Sequence, residues 1–344
     1  MNGIRIACWV AMLAVLSGCQ SRGPESASHS RSVYSGDHSL LYRVRGQAAS
    51  PEQAMQMAAQ AYRAGDRDQA LYLYLRALEL DPKQSAALLG VGRIHRERGN
   101  GPLAEQAFAE VLASDPQHAD GLAEMGLLQL ARRNQPKAAE LLYQAVLLDQ
   151  RRLGLATEHG LPEVDALKVD KHSPLKVYNG LGVLADLDED FPLSEAYYRL
   201  ALQIDPRSAL VQNSLGYSYY LAGQWPEAER SYRRGIDYDA SYSPLWRNYG
   251  LLLARSNRYE EALSAFEHLG SRAQASNEVG YVCLAEGKLD TAEQFFRSAI
   301  EQSPGHYATA WENLERVQQL RRIRQLGAGA EALAGVPLDE PAAR

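Results

Sequence analysis

Two consecutive stretches decide the fold: residues 178–205, YNGLGVLADLDEDFPLSEAYYRLALQID, and residues 212–239, QNSLGYSYYLAGQWPEAERSYRRGIDYD. Laid one over the other they match at a step of 34, with Gly182 over Gly216, Ser194 over Ala228 and Tyr198 over Tyr232. The step continues outward to Gly250, Ala262 and Phe266, and upstream it relates Gly92 to Gly126 and Ala70 to Ala104 and Ala138. A large residue follows each of the upstream alanines by four, at Tyr74, Phe108 and Leu142, and Asp-Pro closes units at 81–82, 115–116 and 205–206. Small, large and proline positions in this order, every 34 residues, describe a helix–turn–helix unit. One such unit cannot bury its apolar face alone, so the units must stack.

This period is the signature of the tetratricopeptide repeat (TPR). The expected fold is all-α: a right-handed solenoid of about seven helix pairs with a C-terminal capping helix. Block 1 covers 51–150 with three repeats, and block 2 covers 175–306 with four, the third shortened because Val279-Gly280 and Ala292 arrive early. Small residues at Ala58, Gly92 and Gly126 let the paired helices approach, and Pro82 and Pro116 are expected to end one helix and open the next. Residues 151–174 interrupt the period with Gly154, Gly160, Pro162 and Pro174, which suggests a loop with a short helical stretch near Glu163–Val169, either functional or a hinge. Residues 307–326 carry Ala310, Leu314, Val317 and Leu320 on one stripe with charge opposite, as a capping helix requires. The alanine-, glycine- and proline-rich tail, 327–344, is expected to be disordered.

The chain has 344 residues, 46% hydrophobic and 23% charged, with a formal net charge of -6. That acidic balance argues against a nucleic-acid partner, which leaves a basic footprint. At the N-terminus, Arg5 flanks an apolar run from Ile6 to Leu16 that is too short to span a bilayer comfortably. The run ends in Leu16-Ser17-Gly18-Cys19, which resembles a bacterial lipobox. The resemblance implies a lipoprotein signal peptide, 1–18, cleavage before Cys19 and lipidation of that residue; the alternative is a general secretory signal with Cys19 a bystander. Gln20 in place of aspartate favours the outer membrane, with the repeats in the periplasm. Residues 19–50 are rich in serine, arginine and glycine and read as a flexible tether, spanning on the order of 30 Å as a coil. Beyond Cys8 and Cys19, the one remaining cysteine, Cys283, falls on a first helix and reads as a buried apolar residue.

No catalytic constellation, metal spacing or phosphate-cradling loop is legible, so an enzyme, a cofactor and a small-molecule substrate are not expected. Recognition is. The helical register turns Asn179, Asn213, Arg247 and Asn277 toward the inner surface, where carboxamides can hold an extended peptide through its backbone. Tyr217 and Tyr220 follow Asn213 on the same helix and would wall the groove. Lys176 and Arg247 would add positive charge for a carboxylate. The alternative is that these asparagines cap or cross-link neighbouring helices.

The runs Tyr178–Leu187 and Gln212–Gly223, joined to a lipobox, resemble the TadD family of TPR lipoproteins of the Tad (tight adherence, Flp pilus) assembly system. The similarity covers 175–284; the extra N-terminal repeats and the 151–173 insertion depart from it. It implies an outer-membrane lipoprotein that helps a secretin or another pilus component assemble or stay stable. Two further readings stay open: a pilotin-type lipoprotein of a type IV pilus or type II secretion system, and a periplasmic adaptor for cell-wall hydrolases or proteases.

Overall fold

The computed structural model describes residues 48–155 and 160–334. The expected signal peptide 1–18, Cys19, the tether up to residue 47 and the last ten residues of the expected tail lie outside the described residues. The described residues form fifteen α-helices and no strand, so the fold is an all-α array of tetratricopeptide helix pairs. Two compact units meet in sequence between Ala87 and Leu88.

The first unit holds one helix pair, α1 (Pro51–Arg63) and α2 (Arg67–Leu80). The Ser50 hydroxyl accepts the Gln53 N–H at 3.2 Å and so starts α1, while Ala54, Ala58 and Ala61 turn its small face inward. From α2, Ala70, Leu73, Tyr74 and Ala77 are buried.

The second unit begins within α3 (Ser85–Glu97), which pairs in sequence with α4 (Gly101–Ser114). The next pair is α5 (Ala119–Ala131) and α6 (Gln135–Arg152). After the insertion come α7 (Leu175–Leu187) with α8 (Phe191–Ile204), and α9 (Ala209–Leu221) with α10 (Trp225–Tyr238). The last pairs are α11 (Ser243–Arg255) with α12 (Tyr259–Glu267), and α13 (Arg272–Ala285) with α14 (Leu289–Gln302). α12 has nine residues where α8, α10 and α14 have fourteen. The long α15 (Ala308–Ala334) packs on α14 through Ala310, Leu314 and Val317.

Close approach within a pair depends on the glycine of the first helix. A Cβ added to Gly182 would lie 2.5 Å from a ring carbon of Tyr198, and one added to Gly216 would lie 2.6 Å from the ring of Tyr232. Each turn inside a pair puts one residue in the left-handed region, and the position recurs with the repeat. Gly99 and Gly223 take it at φ 74°, but Arg133, Glu189 and Asn257 take it too, at 61°, 59° and 61°. For a non-glycine residue that conformation costs about 1–2 kcal/mol, so the packing of the flanking helices decides the turn.

Two expectations need correction. Pro82, Pro116 and Pro206 do not open the following helices. They sit in the turns, where the carboxylates of Asp81, Asp115 and Asp205 accept the N–H of Lys83, Gln117 and Arg207 at 3.1, 3.0 and 3.0 Å. A short acceptor side chain and a fixed φ favour such a turn. Pro102, Pro136, Pro192 and Pro226 sit instead in the first turns of second helices, and Pro51 and Pro244 in the first turns of the first helices α1 and α11. The capping helix also continues past residue 326, where a disordered tail was expected to begin, to Ala334. Alanine, leucine and glutamate dominate residues 328–334, and their helix propensity outweighs the roughly 1 kcal/mol penalty of each of Gly327 and Gly329.

The described part of the insertion is fixed to the array. A single 3₁₀ turn, Val164–Ala166, replaces the expected helical stretch. Gln150, fully buried, accepts the Lys168 N–H at 3.0 Å and donates to the Lys168 carbonyl at 2.8 Å and to the Tyr178 hydroxyl at 2.7 Å. Tyr178 in turn donates to Asp149 at 2.9 Å. Arg152 bridges Asp149 and Asp170, and its guanidinium holds the Asp170 carboxyl well below the usual carboxylate range.

Candidate functional site

The first helices α7, α9 and α11 stand side by side, because each packs its glycine side on its own second helix and its neighbouring face on the next first helix. Between them lies a cleft of about 370 Å³. Asp186, Asn213, Ser214 and Asn248 supply its polar lining, and Val183, Leu187, Leu221 and Leu251 its apolar lining, with the rings of Tyr198 and Tyr217. Leu187, Leu221 and Tyr217 are 52%, 44% and 40% exposed, so the apolar rim is open to solvent.

Asp186 is the chemical centre of this cleft. It is 8% exposed, yet among the described residues it accepts only from neutral groups: the Tyr198 hydroxyl at 2.6 Å and the Ser218 hydroxyl at 2.6 Å. The Ser194 and Ser218 hydroxyls are 2.8 Å apart, and with the Ser218 proton given to Asp186 the Ser194 proton serves either Ser218 or the Phe191 carbonyl, 2.9 Å away. Burial first, and then the neighbouring Asp186 charge, push the Tyr198 phenol above its ordinary range, so it remains a donor throughout the physiological range.

The residues expected to form the groove separate in the structure. Asn213 and Tyr217 line the cleft. Tyr220 stacks on Tyr217 with ring centroids 5.9 Å apart, and Arg255 donates to the Tyr220 hydroxyl at 2.9 Å. Asn179 is buried, with a side-chain oxygen that has no hydrogen-bond partner among the described residues. Lys176 is exposed and is no part of the cleft lining. Arg247 lines a separate cavity of about 180 Å³ with Gln274, Glu278 and Tyr307. Asn277 is 5% exposed and accepts from Asn313 at 3.0 Å.

Two of the asparagines therefore form rungs to the neighbouring helix: Asn248 on α11 donates to Asn213 at 2.9 Å, and Asn313 on the capping helix α15 donates to Asn277 at 3.0 Å. The rungs join residues 35 and 36 apart. The 34-residue step holds between α9 and α11, with Gly216 matched by Gly250 and Asn213 by Arg247, but the side chain that reaches Asn213 is that of Asn248, one residue further on. Sequence reasoning also missed Asp186 and Ser218. A signal was present, since Ser218 stands where the other repeats of that unit carry isoleucine, leucine or valine and Asp186 is the one acid at its position among them.

Among the described residues no group of three or more His, Cys, Asp or Glu side chains is placed to hold a metal ion, and no helix is long and apolar enough to cross a membrane.

The tetratricopeptide repeat model matches residues 56–119, 213–269 and 267–307. Among curated proteins, the general transcriptional corepressor ssn6 of Schizosaccharomyces pombe is 31% identical over 80 residues, which are 23% of this chain and 7% of that protein. The chain thus spans under a tenth of that relative. Among solved structures, the APC/C hetero-tetramer Cut9-Hcn1 aligns with a TM-score of 0.56 at 15% identity, over 81% of this chain and 51% of that one. PilW, a widely conserved type IV pilus biogenesis factor, aligns at 0.46 with 18% identity, over 78% of this chain and 98% of that one. At these identities the likeness is one of fold. The matched segments are tetratricopeptide repeats.

Proposed function

We propose that this protein is a lipid-anchored scaffold of the bacterial outer membrane whose repeats, facing the periplasm, hold an extended segment of a Tad/Flp pilus assembly component, a secretin foremost. The observation that carries the binding role is the cleft between α7, α9 and α11, open at an apolar rim and lined by carboxamides and an aromatic wall. Binding pockets in general combine an apolar lining with a few placed polar groups in this way. The anchor rests on the Leu16–Cys19 lipobox, and the Tad assignment on the runs Tyr178–Leu187 and Gln212–Gly223. On this reading the scaffold works by binding.

The test is affinity capture of the tagged full-length chain from detergent-solubilised native membranes. A secretin and other Tad components are expected in the eluate, and Asn213→Ala with Tyr217→Ala should deplete them without changing helicity. Unaltered capture by the double variant would remove the cleft assignment. Enrichment of peptidoglycan hydrolases or a protease instead would replace the pilus role with that of an adaptor. Cys19→Ser should release the protein from the outer-membrane fraction; continued membrane association refutes the anchor.

A further inference from the structure

We infer that the cleft receives a lysine or arginine side chain of the bound segment, with Asp186 as its counter-ion. This rests on reading the cleft as the segment-binding site, and it reverses the sign of charge expected of the groove from Lys176 and Arg247.

The repeats provide their own control. In the second unit, the position of Asp186, four residues after the glycine, is held elsewhere by Arg96, Leu130, Tyr220, Ala254 and Leu284. No other repeat there carries an acid at this place, and the one charged counterpart, Arg96, is neutralised by Glu124 at 2.9 Å. Ser218 stands where Ile94, Leu128, Leu184, Leu252 and Val282 stand. Ser194 stands where every other repeat of that unit has alanine: Ala104, Ala138, Ala228, Ala262 and Ala292. Packing the array therefore requires none of the three. Yet all three polar exceptions meet in one hydrogen-bonded cluster, and the cluster ends in the cleft.

A buried carboxylate is costly unless a cation neutralises it. Two short hydrogen bonds from hydroxyls offset part of that cost, but they carry no charge, and no ion pair to Asp186 exists among the described residues. A carboxylate has about four acceptor sites, and two are filled. No lysine, arginine or histidine lines the cleft. Arg255, which touches the Tyr220 ring, is paired with Glu286 at 3.3 Å.

The other lining groups suit the same ligand. Asn248 spends a donor on Asn213, which leaves its own carbonyl oxygen to accept. The Tyr217 face, 40% exposed, offers its negative quadrupole to a cation. A guanidinium already sits 5.3 Å above the partner ring Tyr220. An acidic segment or a free C-terminal carboxylate would meet Asp186 with like charge.

The test uses the full-length chain and pools of fluorescein-labelled nonapeptides, with neutral random positions around a fixed central residue, read by fluorescence anisotropy. Pools centred on lysine or arginine are expected to bind about tenfold more tightly than the norleucine pool, and the glutamate pool most weakly. Asp186→Asn should bring the lysine pool down to the norleucine pool. Ser218→Ala removes one hydrogen bond but not the charge, and should keep the preference. Equal binding of lysine and norleucine pools by the parent protein overturns the inference and leaves the cleft as a binding site, and this result does not depend on any variant folding. If no pool binds, or if Asn213→Ala with Tyr217→Ala binds as the parent does, the reading of the cleft itself falls.

Discussion

Tyr198 and Tyr232 occupy the same place in successive repeats, both fully buried, and removing their hydroxyls should have opposite consequences. The Tyr198 hydroxyl donates to Asp186 at 2.6 Å. Tyr198→Phe leaves that buried carboxylate with Ser218 as its one remaining donor among the described residues. A hydrogen bond to a charged group contributes about 1.5–3 kcal/mol, and the same range is the expected loss. The Tyr232 hydroxyl has no hydrogen-bond partner among the described residues, because the place of Asp186 is taken one repeat on by Tyr220. Tyr232→Phe removes an unpaired buried polar group at nearly constant shape, so stability should be unchanged or higher by up to about 1–2 kcal/mol. Urea unfolding followed by far-ultraviolet circular dichroism reads both. At a slope of about 2–3 kcal/mol per molar, Tyr198→Phe should lower the midpoint by about 0.5–1.5 M. Repeat arrays need not unfold in one step, so the midpoint of the transition is the quantity to compare. In an Asp186→Asn background the Tyr198→Phe loss should shrink, because the partner charge is gone. Equal losses from the two tyrosines, or no loss from Tyr198→Phe, would refute the reasoning.

Three other outcomes follow from the same structure. Gly182→Ala should destabilise by about 1–3 kcal/mol from overpacking on the Tyr198 ring, less the roughly 1 kcal/mol that alanine returns as a better helix former. Gly101→Ala, whose Cβ meets nothing within 4 Å, should be neutral or stabilising; urea midpoints that rank the two the other way contradict the packing argument. Gln150→Leu should strand both backbone groups of Lys168 and raise the rate of tryptic cleavage at Lys168 and Lys171 several-fold, and an unchanged digestion rate would mean that the insertion is held elsewhere. The Cys283 thiol is fully buried and its pKa is pushed up by that burial, so a disulfide reagent should label it only on unfolding; rapid labelling of the native protein contradicts that burial.

The helical array was legible in the sequence because each repeat restates the same steric demand: a glycine such as Gly182 or Gly216 opposite a ring such as Tyr198 or Tyr232, at a fixed step. A pattern repeated seven times needs no long-range information to be recognised, and the shortened α12 and the break at 151–174 registered as faults in the same period. The turns were less legible. Arg133, Glu189 and Asn257 occupy left-handed positions that sequence alone would assign to glycine, because the packing of the helices on either side overrides the local preference. The cleft depended on the tertiary structure most of all. Whether Asn213 pairs across helices, and whether it meets Asn248 or its 34-residue counterpart Arg247, depends on how α9 and α11 pack side by side. The gathering of Asp186, Ser194, Tyr198 and Ser218 into one cluster joins residues up to 32 apart on three helices. Sequence determined by itself which surfaces must pack, since packing is a periodic constraint on residue size. Only the folded array decided where charge stays uncompensated, since that depends on every side chain that could have reached Asp186 and does not.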